Sequence, residues 1–241
     1  MKTSTDPMLE RAAFERALLA GLDGWPCERT RFYRLVESGR CPARVMLRYA
    51  RSTYLSATLF CASLAELIDK APDAEARLVL LENLMQEEGI HLRPDRGLVV
   101  RPESRHPALA LRFLKACGGG EATDEAAFGD AVHATGPGRA LLSAGRWLEA
   151  VSFLLIGQEL KFSTVSRQLF DLLCCNGFAD RDLAFFAVHV EADMEHGRQA
   201  LDLVLDRADS LPMQRACIEA AAAGARHWFE MHGADDAHRA A

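Results

Sequence analysis

Segments with apolar residues at helical spacing make up most of this 241-residue sequence. Glycine, proline or clusters of polar residues separate them, as expected where helices end. The predicted helical segments are, in chain order, 9–22, 30–37, 43–70, 73–88, 106–117, 139–173, 181–207 and 211–232. No strand pattern longer than three residues occurs, and 89–105 is predicted to be a loop. The sequence therefore predicts an all-α, up-and-down bundle of about seven helices.

The length and composition of the chain suit one domain. Apolar residues make up 49% and charged residues 26% of the sequence, which is enough apolar surface for one sizeable core. Aromatic residues are only 7%, whereas alanine and leucine are plentiful, and this favours helices over a sandwich of strands. We expect a single domain over 1–241, with flexible ends at 1–8 and 233–241.

The charge and hydropathy patterns exclude several kinds of partner. The net charge is −6, the pI is about 5.8 and no long run of Lys and Arg occurs, so nucleic acid is not an expected partner. The longest apolar stretch, 55–68, is interrupted by polar residues and is too short to span a bilayer. Residues 1–24 carry charges throughout and lack the apolar region of a signal peptide. We therefore expect a cytoplasmic protein that does not bind membranes.

The seven cysteines follow no pattern typical of a zinc site or of a disulfide framework. Their number is odd, no C-x-x-C pair occurs, and the adjacent Cys174 and Cys175 end an apolar segment. We expect reduced thiols, as is usual in the cytoplasm. No basic neighbour that would activate a thiol is visible, which argues against a catalytic cysteine.

Three polar side chains share the face of one predicted helix that ought to be buried. At about 100° per residue, His189, Asp193 and His196 project within an arc of roughly 60°. Phe186 and Leu203 lie on the same side. Burying two imidazoles and a carboxylate together costs free energy unless something satisfies them, and a divalent metal ion does so by taking all three as ligands. The alternatives are a hydrogen-bonded His–Asp–His network and a helix face at a wet subunit interface.

A second carboxylate, Glu159, also lies in an apolar helical stripe. Leu155 stands one turn before it and Phe162 one turn after it. A buried glutamate needs a polar partner or a metal ion, and the alternative to a metal is pairing with Lys or Arg of another helix. Lys161 lies about 200° around the helix from Glu159, so it is expected on the solvated face rather than as a substrate anchor.

A third pair of candidates flanks the predicted loop, where periodicity leaves the choice open. Glu87 and Glu88 both follow apolar residues at helical spacing. His106 begins a helix whose buried side continues through Leu109, whereas His91 lies in the polar loop. Glu88 and His91 also match the Glu-x-x-His pattern of ferritin-like di-iron sites. We favour Glu87 and His106.

The spacing of these residues resembles that of the haem-oxygenase-like di-iron oxidases and oxygenases. That family has a helical Glu, a later His, a Glu in mid-bundle and a final His-x-x-x-Asp-x-x-His helix. The matching positions here, which the resemblance makes metal ligands, are Glu87, His106, Glu159, His189, Asp193 and His196. The sequence flanking Glu87 and His106 is also similar to the family, and the likeness covers roughly residues 45 to 205. The segment 89–105 is longer than is usual in the family.

The resemblance implies a fold, a cofactor and a class of reaction. The fold would be a haem-oxygenase-like bundle of seven helices, commonly dimeric and without haem. The cofactor would be two Fe(II) ions, with manganese as the alternative, and O₂ would be the co-substrate. The substrate would be a small amine, amino acid or fatty acid, changed by N-oxygenation, desaturation or oxidative C–C cleavage. Partners would be this small molecule, a second copy of the chain and, where the reaction needs one, an external electron donor.

Other functions remain open at this point. A self-sacrificing oxygenase of the para-aminobenzoate-synthase type would consume a buried tyrosine, for which Tyr33, Tyr49 and Tyr54 are available. A thiaminase-II-like hydrolase of the same fold would need a positioned cysteine nucleophile and no metal. An oxidase like coenzyme-PQQ synthase would need neither. A helical interaction module without catalysis is the last alternative.

Overall fold

Helices form most of the structure. The computed structural model describes residues 7–120, 125–190 and 192–233, so most of the predicted flexible ends, 1–8 and 233–241, lies outside the described residues. The α-helices in this part of the chain are α1 (Arg11–Asp23), α2 (Arg31–Glu37), α3 (Ala43–Asp69), α4 (Ala74–Glu87), α5 (His106–Ala116), α6 (Glu125–Ser143), α7 (Trp147–Val151), α8 (Lys161–Cys175), α9 (Ala184–His189), α10 (Ala192–Arg207) and α11 (Leu211–Gly233). The predicted all-α class is confirmed. None of the described helices is long and apolar enough to cross a membrane.

The predicted helix 139–173 is divided in the structure. Helix α6 ends at Ser143 and α7 begins at Trp147. Between them Gly145 adopts a left-handed backbone with a φ of 74°, a conformation that glycine adopts without strain and that ends a helix. From Trp147 onward α7, a π-helical segment and α8 form one continuous rod that ends at Cys175.

The predicted helix 181–207 is divided as well. Helix α9 ends at His189, Val190 forms a turn, and α10 begins at Ala192. His189 therefore lies on a different helix from Asp193 and His196, although all three were expected on one face of a single helix.

The segment 89–105 contains a β-hairpin, so the prediction of a loop without strands is wrong there. Strand β1 (Ile90–Arg93) pairs antiparallel with strand β2 (Gly97–Val100), and Gly97, with a φ of 69°, closes the turn between them. Strands of four residues are too short for the alternation of apolar and polar residues to be recognised in the sequence. Residues 90–100 are called the hairpin below.

The base of the hairpin is fixed to the helices on either side. The carbonyl oxygen of Gly89 accepts a hydrogen bond of 2.8 Å from the backbone N–H of Arg101. Gly89 has a φ of 67°, and a Cβ there would collide with the carbonyl oxygen of Arg101, so only glycine fits. Arg105 forms an ion pair of 2.7 Å with Glu88. These contacts join the hairpin to the end of α4 and the start of α5.

The π-helical segment, Ser152–Leu160, packs against α10 and α11 in the interior. Its close approach to α11 depends on two glycines. A Cβ at Gly224 would collide with the carbonyl oxygen of Phe153 and would lie 3.0 Å from the Cα of Gly157. The wider turn of a π-helix is found mostly as short insertions at functional sites, and this one carries the buried Glu159.

Two apolar clusters fill the bundle. One includes Phe14 and Phe153, and the other includes Phe113 and Phe186. A cavity of about 100 Å³ has residues of both clusters in its wall. The bundle therefore encloses a space large enough for a small molecule, and the polar residues of this space are described below.

The contact between Gly224 and the π-helical segment makes a prediction about stability. Gly224→Ala is expected to lower the free energy of unfolding by about 1–3 kcal/mol, because the added methyl group must displace the backbone of the segment. Urea denaturation followed by circular dichroism measures the change. Gly136→Ala is the matched control, since a Cβ there meets nothing within 4 Å and alanine favours a helix. Equal losses in the two variants would contradict the close approach.

Candidate metal centre

The six candidate ligands from the sequence lie together in the interior. All are 6% exposed or less: Glu87, His106, Glu159, His189, Asp193 and His196. They come from α4, α5, the π-helical segment, α9 and α10. Five elements that are far apart in the chain thus contribute polar side chains to one point of the bundle.

The donor atoms of these residues form two sets that share one carboxylate. The first set is Glu87, His106 and His189, and the second is Glu87, Glu159, Asp193 and His196. Within each set the donor atoms lie within 4.8 Å of one another. Glu87 belongs to both sets, so its carboxylate would contribute to the binding of either metal ion.

The first set presents imidazole lone pairs to one point. Nδ1 of His189 donates to the carbonyl oxygen of Phe185, so its Nε2 keeps the lone pair. Burial, with the neighbouring His106, lowers the pKa of His189 well below its usual value, so the ring is neutral. Nδ1 of His106 lies 2.8 Å from Oε1 of Glu87, but not in the direction of a hydrogen bond. This separation fits two ligands of one metal ion, because neighbouring ligands that are each about 2.1 Å from an ion would lie about 3 Å apart.

In the second set a network of hydrogen bonds holds Glu159. Nδ1 of His196 lies 2.9 Å from Oε1 of Glu159, and Nδ2 of Asn83 donates to both carboxylate oxygens at 3.1 and 3.2 Å. Burial raises the pKa of Glu159, although the bonds from His196 and Asn83 oppose this effect. Burial also lowers the pKa of His196, but its contact with Glu159 outweighs burial and leaves that pKa raised. The polar partners of Glu159 are thus neither Lys nor Arg.

Asn83 is the residue of this site that the sequence reasoning missed. It is 2% exposed and lies one helical turn before Glu87 on α4. Its Oδ1 is buried without a hydrogen-bond partner among the described residues. A polar residue at i−4 from Glu87 within an apolar stripe was the available signal.

Asp193 is the least compensated group of the site. It is 1% exposed, and neither of its carboxylate oxygens has a hydrogen-bond partner in the described part of the chain. Nε2 of His189 is 3.9 Å from Oδ1, beyond a hydrogen bond. Burial and the negative charges of Glu159 and Glu87 raise the pKa of Asp193 well above its usual value. The His–Asp–His network considered from the sequence is therefore not formed among the described residues, and these buried, unpartnered oxygens fit the ligands of a cation.

The alternative residues Glu88 and His91 have other partners. Glu88 is paired with Arg105, and Nε2 of His91 lies 3.4 Å from Oγ of Ser104. Neither belongs to a donor set. The geometry therefore favours Glu87 and His106 as the candidate ligands.

Lys161 is not on the solvated face, contrary to the expectation from the sequence. It is 7% exposed, and burial lowers its pKa while the nearby Asp23, Cys27 and Glu28 raise it. The turn between α1 and α2 covers this face of the rod. The periodicity of a single helix contains no information about such a covering segment. Lys161 is not part of the cavity wall.

The cavity reaches both donor sets. Four of the six candidates are part of its wall, namely Glu87, Glu159, His189 and Asp193. Aromatic side chains form much of the remainder: Tyr49, Phe60, Phe162, Phe185 and Trp228. Ala57 and four uncharged polar side chains complete it, the latter being Thr53, Ser56, Thr135 and Gln158. Among the described residues of the wall there is no cysteine, lysine or arginine.

The chemistry of the donors fits iron or manganese. The two sets together offer three carboxylates and three imidazoles, and no thiolate. The first set has two imidazoles and one carboxylate, a combination typical of non-haem Fe(II). Two divalent ions would more than compensate the charge of the three carboxylates and would provide partners for the orphaned atoms of Asp193 and for Nε2 of His196.

Solved structures identify the class of fold. The chain is similar to the crystal structure of a TenA homologue from Pseudomonas syringae pv. tomato str. DC3000, with a TM-score of 0.67 over 94% of this chain and 95% of that chain. The sequences are 14% identical, so this likeness shows the fold alone. The predicted haem-oxygenase-like helical fold is thereby confirmed. A comparison with functionally curated proteins gives no match.

The family follows from the sequence match. Residues 47–229 match the family described as iron-containing redox enzyme. The match covers most of the chain, and this protein belongs to that family. The resemblance based on the spacing from Glu87 to His196 is confirmed by this match.

The unpaired carboxylate makes a prediction about the metal-free protein. Asp193→Asn is expected to raise the free energy of unfolding by about 1 kcal/mol or more at neutral pH, because it removes a buried charge without a partner. An acid whose pKa is higher in the folded than in the unfolded state loses stability as pH rises above the unfolded value, about 4. The wild type should therefore lose stability relative to the variant above that pH. Denaturation of chelator-treated protein at several pH values measures this.

Asp202→Asn is the control for this experiment. Asp202 is an exposed aspartate of the same helix in a surface ion pair, and such pairs contribute little. Its replacement should change stability only slightly. A loss of stability in Asp193→Asn would contradict the interpretation of Asp193 as an uncompensated charge.

Proposed function

We propose that this protein is an O₂-activating, non-haem di-iron oxidase or oxygenase. The observation that carries the proposal is the presence of two buried donor sets that share Glu87. Membership in a family of iron-containing redox enzymes supports iron as the metal and redox chemistry as the activity. The proposed substrate is a small amine, amino acid or fatty acid, and the proposed reactions are N-oxygenation, desaturation and oxidative C–C cleavage.

Each ion would be held by one donor set. One would bind Glu87, His106 and His189, and the other would bind the remaining candidates together with Glu87. The bound metal would supply electron transfer to O₂, which the side chains of the chain cannot provide. Three carboxylates leave two divalent ions with an excess of positive charge, which favours an anionic group beside them.

The chain's own residues orient the ligands and surround the site with aromatic side chains. The carbonyl group of Phe185 fixes the ring of His189, and Asn83 fixes the carboxylate of Glu159. Aromatic side chains form much of the cavity wall, and apolar surroundings strengthen electrostatic interactions. Because no Lys or Arg lines the described wall, a negative group of the substrate would find its counter-charge only at the metal centre.

The cavity favours this proposal over a thiaminase-II-like hydrolase. Such an enzyme would need a cysteine nucleophile, but all seven cysteines are described and none lines the cavity. Burial raises the pKa of Cys27 and of Cys117 to about 12, so these thiols stay protonated and unreactive near neutral pH.

A self-sacrificing oxygenase is the second candidate, because one tyrosine lies at the site. Tyr49 lines the cavity, and its ring stacks on Phe32 with 3.7 Å between the ring centroids. Burial raises the pKa of Tyr49 well above its usual value, so it is a neutral phenol. Tyr33 and Tyr54 are not part of the cavity wall. Tyr49 is therefore the residue that this mechanism would consume.

The shared position of Glu87 makes a prediction about metal content. Wild-type protein loaded with Fe(II) without oxygen, then freed of excess metal, is expected to keep two irons per chain. Glu87→Ala is expected to lose both, because the residue belongs to both donor sets. His106→Ala and Asp193→Ala are each expected to lose one. Elemental analysis by mass spectrometry, with protein quantified by amino-acid analysis, measures the ratio.

Two neighbouring residues provide matched controls. Glu88→Ala and His91→Ala remove the same types of side chain close by, without touching a donor set, and should keep two irons. Loss of iron in His91→Ala with retention in His106→Ala would show that the assignment of the ligands is wrong. Iron near zero in the wild type would overturn the proposed function.

Oxygen uptake tests the activity itself. The Fe(II)-loaded protein, mixed with oxygenated buffer in an electrode chamber, is expected to consume O₂ faster than the same iron with Glu87→Ala protein. Intact-mass spectrometry before and after the reaction separates the two candidate functions, because only the self-sacrificing reaction changes Tyr49. An unchanged mass with O₂ uptake supports the oxidase. Equal uptake in the two proteins would refute O₂ activation at this site.

A further inference from the structure

The hairpin presents an apolar face to solvent. Leu92, Leu98 and Val100 are 73%, 64% and 62% exposed. Leu92 and Leu98 are opposite each other in the antiparallel pair, and Val100 is two residues further along β2, so the three side chains share one face. A patch of exposed aliphatic side chains on a two-stranded sheet is typical of an interaction site.

Positive charge lies at the carboxyl end of each strand of the hairpin, at Arg93 and at Arg101. The segment 89–105 contains four arginines against two acidic residues: Arg93, Arg96, Arg101 and Arg105 against Asp95 and Glu103. Its net charge is therefore +2, whereas the whole chain carries −6, which leaves −8 on the remainder. Arg93 and Arg101 are exposed and form no ion pair with any described residue. The hairpin is thus a basic and apolar patch on an acidic protein.

The hairpin also lies between two candidate ligands. It connects α4, which ends at Glu87, to α5, which begins at His106. The backbone bond between Gly89 and Arg101 and the ion pair between Glu88 and Arg105 fix it to both helices. A partner bound to the hairpin would therefore be held by the elements that carry these two ligands.

We propose that the hairpin face is the docking site for an acidic electron-transfer protein that carries a one-electron group of the [2Fe–2S] type. This rests on the proposed function. An oxygenase that inserts one atom of O₂ into its substrate and releases the other as water consumes two protons and two electrons from outside. Each docked cluster is oxidised by one electron, which passes to the metal centre, so two encounters supply one turnover.

The charge of the hairpin favours an acidic protein over the other molecules that could bind such a patch, among them a second copy of this chain. The remainder of the chain has a negative net charge, which disfavours an acidic protein elsewhere, whereas the arginines of 89–105 attract it and steer its approach to the hairpin. A second copy that docked through its own hairpin would place arginines against arginines. Arg93 follows Leu92 in β1 and therefore projects from the other face of the hairpin, and Arg101 follows Val100. A partner that also covers the edge of the hairpin would meet both the leucines and these guanidinium groups, and Arg is enriched in protein interfaces.

Calorimetric titration with an acidic [2Fe–2S] ferredoxin tests the docking site. The wild-type chain is expected to bind it at low ionic strength and to bind more weakly as salt is added. The iron-free chain is expected to bind equally well, because the surface requires no metal. Iron content, measured separately, shows whether the proposed function holds, so its failure is distinguishable from failure of the docking site.

Variants of the arginines and variants of the leucines show which side chains bind the ferredoxin. R93E/R101E and L92S/L98S are each expected to weaken binding by about tenfold or more. All four side chains are exposed, so the fold should be unaffected, and circular dichroism checks this. R40E/R44E is the matched control, because Arg40 and Arg44 are exposed, form no ion pair with a described residue and lie near the other end of α5. It should keep most of the wild-type affinity.

Three results would overturn the proposal. The first is no binding of the ferredoxin at low ionic strength, or an equal loss in the control variant. The second is a wild-type dimer that becomes a monomer in L92S/L98S by light scattering, which would make the face a contact between copies of this chain. The third is binding to vesicles of anionic phospholipid, lost in R93E/R101E, without binding to the ferredoxin.

Discussion

Three carboxylates meet at one buried point of this bundle, and their mutual repulsion in a medium of low dielectric constant is the main constraint on its structure. The chain compensates them unequally. Glu159 receives hydrogen bonds from Asn83 and His196, whereas Asp193 receives none from a described residue. Packing of the two apolar clusters must therefore stabilise an arrangement that is unfavourable without a cation. The close contact of Gly157 with α11 is part of that packing, because it holds the segment that carries Glu159.

Helical periodicity was sufficient to predict the fold class and to single out Glu159, His189, Asp193 and His196, whereas it left Glu87 and Glu88 undecided. Each of those residues is a polar residue within an apolar stripe, and such a stripe can be recognised from the sequence of a single helix. The features that were missed depend on contacts between elements. Lys161 is buried by residues from elsewhere in the chain, and the helix break at Gly145 comes with a left-handed backbone at that glycine. The hairpin was missed because strands of four residues carry too little pattern.

The fold of this protein does not by itself determine its chemistry. A bundle of this shape is shared with a TenA homologue at 14% identity, so the backbone arrangement tolerates nearly complete replacement of the side chains. The cavity wall decides the chemistry. In this chain three carboxylates and the imidazole of His189 lie in that wall and none of the described cysteines does, which agrees with membership in an iron-containing redox family.

The two donor sets differ in composition, although they share Glu87. The first has two nitrogen donors and one carboxylate, whereas the second has one nitrogen donor and three carboxylates. Imidazole suits iron, and carboxylate oxygen suits manganese as well. Two ions held there would therefore occupy unlike positions, and iron and manganese would differ in their preference for each position, which would not be so in a symmetric site.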